Sequence, residues 1–162
     1  MAGAFFCEGN VMPTSEFNVW IDPETAKKAY RAPWKEQIFL PLDVCSKELM
    51  SHNDFKDLES RIKSDRFKAM WESHYATPMF RKDPFFKNYI WDVLVAAVAI
   101  DPSVILESET LPIDVDDQYG YGYGQTMGFR GAAPEGAQNA KIVYAVDRAK
   151  IWKMVEDVFN KL

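Results

Sequence analysis

The run Leu94-Val95-Ala96-Ala97-Val98-Ala99-Ile100 is apolar on every side, and Asp101-Pro102 closes it. A helix without a polar stripe has no face suited to water, so this segment reads as a central helix. Beyond Asp101-Pro102 the hydrophobic period changes: Thr110, Pro112 and Asp114 alternate with Leu111, Ile113 and Val115, which is the period of a strand. A chain that moves from a helical period to a strand period across one such junction builds both kinds of layer. It is therefore expected to be α/β, an open sheet flanked by helices, with Lys141 to Val146 and Arg148 to Leu162 as a terminal strand and helix.

The rest of the chain fits between these elements. Asp22-Pro23-Glu24 starts a helix, with Asp22 as cap, Pro23 in the first turn and Glu24 at the positive end of the dipole, and the helix runs to about Ala32 before Pro33 stops it. Gln37 to Val44 reads as a short, mostly buried strand, with Pro41 implying an edge position or an irregularity. Amphipathic helices are expected from Asn53 to about Ile62 and from Asp65 to about Met79, on the spacing of Phe55, Leu58 and Ile62 and of Phe67, Met70, Trp71 and Tyr75. The central helix is expected from about Pro84 to Ala99, with Trp91 and Asp92 in its first half. The glycine-rich stretch from Gly120 to Gly136 reads as a loop or hairpin region. Nothing marks a domain boundary or an internal repeat.

With 162 residues and 48% hydrophobic content the chain has ample material for one core. A net charge of −5 gives no positive field for a phosphate backbone, which excludes nucleic acid as a partner. The longest apolar run, Val93 to Ile100, is too short to span a bilayer, and the first residues lack the basic flank and long apolar core of a signal peptide. Cys7 and Cys45 have no metal-ligand spacing and read as buried free thiols, consistent with a reducing, cytoplasmic location. His52 and His74 read as surface residues. Asp114, Asp116 and Asp117, ahead of Gly120-Tyr121-Gly122-Tyr123-Gly124, read as a solvated turn.

Chemistry concentrates in Gly9-Asn10-Val11-Met12-Pro13-Thr14-Ser15-Glu16-Phe17-Asn18. Pro13 prevents a regular element there, so a loop can converge Asn10, Glu16 and Asn18. Asparagine both donates and accepts, and glutamate accepts, a set suited to vicinal hydroxyls; the same residues also suit ordinary turn chemistry with a solvated Glu16. Asp92, inside an otherwise apolar helix, is either paired with a donor or hard cation, or held by the helix dipole at an exposed first turn. Trp91 reads as a ligand wall or as core.

These residues carry a resemblance. Gly9 to Ala26, with Leu42-Asp43-Val44, Trp91-Asp92, Ala96-Ala97, Asp101-Pro102 and Gly124-Gln125-Thr126, resembles the inosine-uridine preferring nucleoside hydrolases over essentially the whole chain, but only over the C-terminal half of that fold. The resemblance implies a ribonucleoside N-glycosidase that releases free base and ribose, with a calcium ion holding the ribose diol and the attacking water. It implies that Asn10, Glu16 and Asn18 hold ribose hydroxyls, that Met12 lies beside the sugar, and that Asp92 touches the substrate and is the metal ligand of this half. Trp91, standing where many members have a histidine, implies stacking on the leaving base and a purine preference. The family's aspartate-rich DxDxxxDD segment, which supplies the general base and most calcium ligands, does not occur in these 162 residues. The resemblance thus implies a single partial domain over residues 1–162, inactive alone as a truncated enzyme. The alternatives are a chain completed by a second polypeptide or a homo-oligomer, and a non-catalytic ribose-binding or interaction protein.

Overall fold

The computed structural model describes residues 1–74, 83, 85 and 87–161. Backbone contacts divide them into two compact units, Met1–Lys47 with Ile105–Val146, and Glu48–Val104 with Asp147 onward. Both are discontinuous, and no shift of composition marks the crossings. The architecture is mixed α/β with open sheets.

In the first unit, helices α1 (Phe17–Trp20), α2 (Pro23–Tyr30) and α3 (Leu42–Cys45) accompany strands β1 (Ile38–Phe39), β4 (Ile105–Val115), β5 (Thr126–Gly128) and β6 (Gln138–Val146). The sheet order is β1-β6-β4-β5, with β1 parallel to β6 and β4 antiparallel to both its neighbours. Alternation selects the core: Leu111, Ile113 and Val115 of β4 and Ala140 and Ile142 of β6 pack with Phe5, Val19 and Tyr30. The local signals for α2 operate as expected, since the Asp22 carboxylate accepts from Thr25 N at 3.0 Å and Pro23 takes the first turn. The helix ends at Tyr30, slightly before the expected stop.

The second unit holds β2 (Leu49–Ser51) and β3 (Lys87–Tyr89) as an antiparallel pair, with helices α4 (His52–Arg61), α5 (Asp65–His74), α6 (Trp91–Ile100) and α7 (Arg148–Phe159). Ser51 and Asp54 form a reciprocal capping box that starts α4, and Asp147 caps α7 through Lys150 N at 3.0 Å. Its core is Phe55, Leu58, Phe67, Leu94, Val98 and Ile151, with Phe67 and Phe159 stacked at 3.8 Å between centroids. No helix among the described residues is long and apolar enough to cross a membrane.

Several expectations are corrected. Only Ile38–Phe39 of the Gln37 to Val44 stretch is strand; Pro41 caps α3 instead, because it has no N–H for a ladder and its extended backbone leads into the turn. The helix carrying Trp91 starts at Trp91 itself, since Lys87–Tyr89 find ladder partners in Leu49–Ser51. Asp114 is 3% exposed rather than solvated, because the Arg31 guanidinium donates to both of its oxygens, Nε at 3.0 Å and Nη2 at 2.6 Å. Cys7 is exposed, whereas Cys45 is buried as expected. His52 is buried at the start of α4. The expected helix start at Pro84, the helix residues from Tyr75 to Met79, the last residue Leu162, and the side chains of Trp71 and His74 lie outside the description.

Candidate functional site

Two carboxylates organise the start of the first unit, and both do so by accepting backbone N–H groups. Glu16, 1% exposed, caps α1: Oε1 accepts from Asn18 N at 2.9 Å and Oε2 from Gly3 N at 2.9 Å. Asp43, also buried, accepts from Phe5 N at 2.9 Å and Phe6 N at 2.8 Å with its two oxygens. Thr126 Oγ1 both accepts from Ala4 N and donates to Ala4 O, each at 2.9 Å. The segment from Gly3 to Phe6 is thus pinned residue by residue, and these backbone donors offset the desolvation of the two carboxylates.

The Gly9 to Ser15 loop closes on itself. Asn10, Val11 and Met12 donate their N–H groups to Ser15 O at 3.2, 3.3 and 3.4 Å, and Gly9 N donates to Pro13 O at 3.0 Å. Ser15 Oγ donates to Tyr123 O at 2.8 Å, tying the loop to the glycine-rich turn. Asn10 Oδ1 accepts from Phe17 N at 2.9 Å, and Asn18 Nδ2 donates to Met1 O at 3.2 Å. Among the described residues Asn10 Nδ2 and Asn18 Oδ1 have no partner, and both asparagines are exposed. The two asparagines thus each keep an exposed polar atom of the kind that meets hydroxyls, and Asn10 lines a cavity with Glu8 to Pro13 that does not include Asn18. Met12 is half-buried and contributes its carbonyl to Ser15 N at 3.2 Å.

Trp91 and Asp92 belong to the second unit. Trp91 is half-buried, lies 5.0 Å from the Tyr89 ring at 30° between planes, and has a buried Nε1 without a hydrogen-bond partner among the described residues. Both residues line a cavity of about 380 Å³ whose walls include Phe55, Phe67, Trp152 and Phe159. Asp92 is exposed in the first turn of α6. The desolvation that would demand a cation is absent, and the helix dipole suffices to stabilise it. Among the described residues no group of three or more His, Cys, Asp or Glu side chains is arranged to hold a metal ion. Calcium takes about six to eight oxygen ligands, so these residues do not form a calcium site by themselves.

Sequence reasoning passed over Asp43, Thr126 and Tyr123 as positioning groups, because their partners lie 36 or more residues away. It also passed over a cavity of about 630 Å³ lined by Cys7, Asp43, Lys47, Glu109, Arg130 and Tyr144. There the Arg130 guanidinium lies 4.3 Å from the centroid of the Phe6 ring and holds the Glu109 carboxyl below its ordinary range. Cys7 Sγ donates to Asp43 Oδ2 at 3.4 Å, and although the residue is exposed overall, partial desolvation of the thiol, followed by the Asp43 charge, pushes it up to about 12. At pH 8 its alkylation by iodoacetamide, followed by mass spectrometry, is expected to run roughly two to three orders of magnitude slower than that of a free thiol. Asp43→Asn should accelerate it; alkylation of the unsubstituted chain at the free-thiol rate would show that the Cys7–Asp43 contact does not form in solution.

The fold belongs to a known class. An inosine-guanosine nucleoside hydrolase matches with a TM-score of 0.81 at 18% identity, over 98% of this chain and 50% of that one. A purine-preferring ribonucleoside hydrolase from Gardnerella vaginalis matches with a TM-score of 0.73 at 24% identity, over 100% of this chain and 52% of that one. In sequence, the inosine-uridine preferring nucleoside hydrolase of Leishmania major is 26% identical over 164 residues, covering 100% of this chain and 51% of the relative. The family model for inosine-uridine preferring nucleoside hydrolases matches residues 1–153, and the chain belongs to that family. It spans about half the length of the curated relatives it matches.

Proposed function

We propose that this chain provides the sugar-gripping and base-stacking part of a ribonucleoside N-ribohydrolase that releases free base and ribose, with purine nucleosides preferred. The observation that carries the reading is the Gly9 to Asn18 loop, where buried Glu16 fixes the backbone while Asn10 Nδ2 and Asn18 Oδ1 are left open to ligand. Asn10 and Asn18 take the ribose hydroxyls, with Met12 beside the sugar. Glu16 holds Asn18 in place, and its contact with ribose follows only if a bound sugar opens its burial. Trp91 stacks on the base. An indole face cannot donate a proton, but it favours an electron-poor, protonated purine as the bond to an oxocarbenium-like ribosyl centre breaks.

Asp92 is the one residue of the described set that the resemblance assigns to calcium. The further carboxylates would come from outside these 162 residues, from the rest of the same enzyme or from a complementing polypeptide, and these residues alone are expected to bind calcium weakly and to release no base from inosine. The two free cysteines are compatible with a reducing cytoplasm. A second reading, a non-catalytic ribose-binding protein, rests on the same Asn10 and Asn18 groups, which need no metal to meet hydroxyls.

The expected outcome is that ribose raises the melting temperature of the purified chain and that Asn10→Ala or Asn18→Ala abolishes the rise. No protection, with or without these substitutions, would remove the sugar grip. Joined to an acidic half, the chain should turn over inosine faster than uridine, and the opposite order would sink the purine preference. Ribose protection without turnover in that completed protein would favour the binding reading, while turnover by the isolated chain would contradict the need for further carboxylates.

A further inference from the structure

Tyr30 ends helix α2 with its ring fixed and its hydroxyl idle. The ring meets Phe39 edge-on at 4.6 Å between centroids and packs in one cluster with Phe5 and Val19. It therefore rests against both segments that Glu16 ties together, the Gly3 to Phe6 stretch and α1. The residue is 7% exposed, and among the described residues its hydroxyl has no hydrogen-bond partner. Most buried polar side-chain atoms have a partner, and one left without it is destabilising. Phenylalanine would fill the same space without that loss. Burial, followed by the Glu16 charge, raises the phenol above its ordinary range, so the proton stays on oxygen and the group is a donor with a buried carboxylate in its surroundings.

We infer that Tyr30 is a positioning residue for Glu16 in the sugar-bound state, donating its hydroxyl to the carboxylate when a ribose hydroxyl takes a place now held by a backbone N–H; the inference rests on the reading of the Gly9 to Asn18 loop as a ribose grip. A carboxylate offers about four lone-pair directions. Glu16 accepts at one direction on each oxygen, from Asn18 N and from Gly3 N, both at 2.9 Å. A sugar can reach this buried group only if α1 or the Gly3 segment gives way, and that movement draws off one backbone donor. The charge then sits in the interior with one donor fewer from its own chain, which is costly unless another replaces it. Tyr30 replaces it from the core side, where Phe39 of β1 holds the ring against following the moving segment. The hydroxyl is idle in the free chain because its partner becomes available in the occupied one.

The test titrates ribose into the purified chain and its Tyr30→Phe variant by calorimetry and melts both proteins without sugar. Tyr30→Phe is expected to weaken ribose binding roughly tenfold, the worth of one hydrogen bond to a charged group. The free variant should melt no lower than the unsubstituted chain, because the hydroxyl it lacks bonds to nothing there. Tyr144→Phe, whose hydroxyl meets Glu109 instead, should bind ribose as the unsubstituted chain does. In protein labelled with 3-fluorotyrosine, the fluorine resonance that Tyr30→Phe deletes should move on addition of ribose. A Tyr30→Phe chain that melts markedly lower or fails to fold would show that the hydroxyl already has a partner in the free chain. Unchanged ribose affinity, or a resonance that ribose leaves in place, would show that it gains none in the bound chain, and equal weakening by Tyr144→Phe would show that the loss is not particular to Tyr30. Each of these results overturns the inference and leaves the sugar grip standing, whereas an unsubstituted chain that binds no ribose removes the grip and the inference together.

Discussion

Replacing Glu16 with alanine is expected to destabilise the protein by about 4 kcal/mol, because one buried and one part-buried backbone donor lose their acceptor and a cavity takes the place of the carboxylate. Gly3 N and Asn18 N each donate to one Glu16 oxygen at 2.9 Å, and the residue is 1% exposed. At about 2–4 °C per kcal/mol for a chain of this size, the midpoint should fall by roughly 8–16 °C in calorimetry. Glu16→Gln keeps the size and one carbonyl acceptor but sets an amide N–H₂ against the other backbone N–H, so roughly half the loss is expected. Burial, followed by the nearby Glu16 charge, raises the Tyr30 phenol above its ordinary range, so alanine at position 16 should also lower the pH at which Tyr30 ionises. A solvated Glu16, the turn reading open to the sequence, would give a change within about 0.5 kcal/mol, and that result would remove the anchor. Ribose protection should vanish in the alanine variant even at temperatures where it remains folded, since Asn18 is held through its own N–H.

What could be read from the sequence divides by range. Helix α2 is legible because Asp22, Pro23 and Glu24 settle its start within three residues, and β4 because Leu111, Ile113 and Val115 alternate with Thr110, Pro112 and Asp114. The Val93 to Ile100 run reads as a central helix from its composition, and the structure corrects this: it is helical and apolar, but Val93, Ala96, Ala99 and Ile100 are exposed. Gln37 to Val44 misleads because its apolar run suits a strand until Pro41 starts α3 and Asp43 turns to the amides of Phe5 and Phe6. Asp114 misleads for a similar reason: two neighbouring aspartates suggest solvent, but its partner Arg31 is 83 residues away. For the site, the sequence picks out Asn10, Glu16 and Asn18 as one group. It leaves open which atoms face outward, and that depends on backbone donors such as Gly3 N that carry no signal in a residue pattern.

Gly9→Ala is expected to disrupt the Asn10 loop more than any other single-methyl change in it. A Cβ at position 9 would lie 2.2 Å from Met12 O, 2.3 Å from Ser15 O and 2.4 Å from Ser15 N, all backbone atoms that cannot swing aside as a side chain would. The requirement for glycine here is space rather than a left-handed backbone, since Gly9 is not among the glycines of positive φ. Relief demands that the loop open, and opening it breaks the donation of Asn10, Val11 and Met12 N–H groups to Ser15 O. A loss of about 3 kcal/mol is expected from such overpacking, visible as a lower urea midpoint with an unchanged slope. Gly131→Ala provides the reference, because a Cβ there meets nothing within 4 Å and should shift stability by no more than about 0.5 kcal/mol. Asn10 follows Gly9 directly, so its Oδ1 should leave Phe17 N and ribose protection should fall with stability. A Gly9→Ala protein as stable as the Gly131→Ala reference would mean that the loop does not close as described, and the donor and acceptor presented by Asn10 and Asn18 would lose their common support.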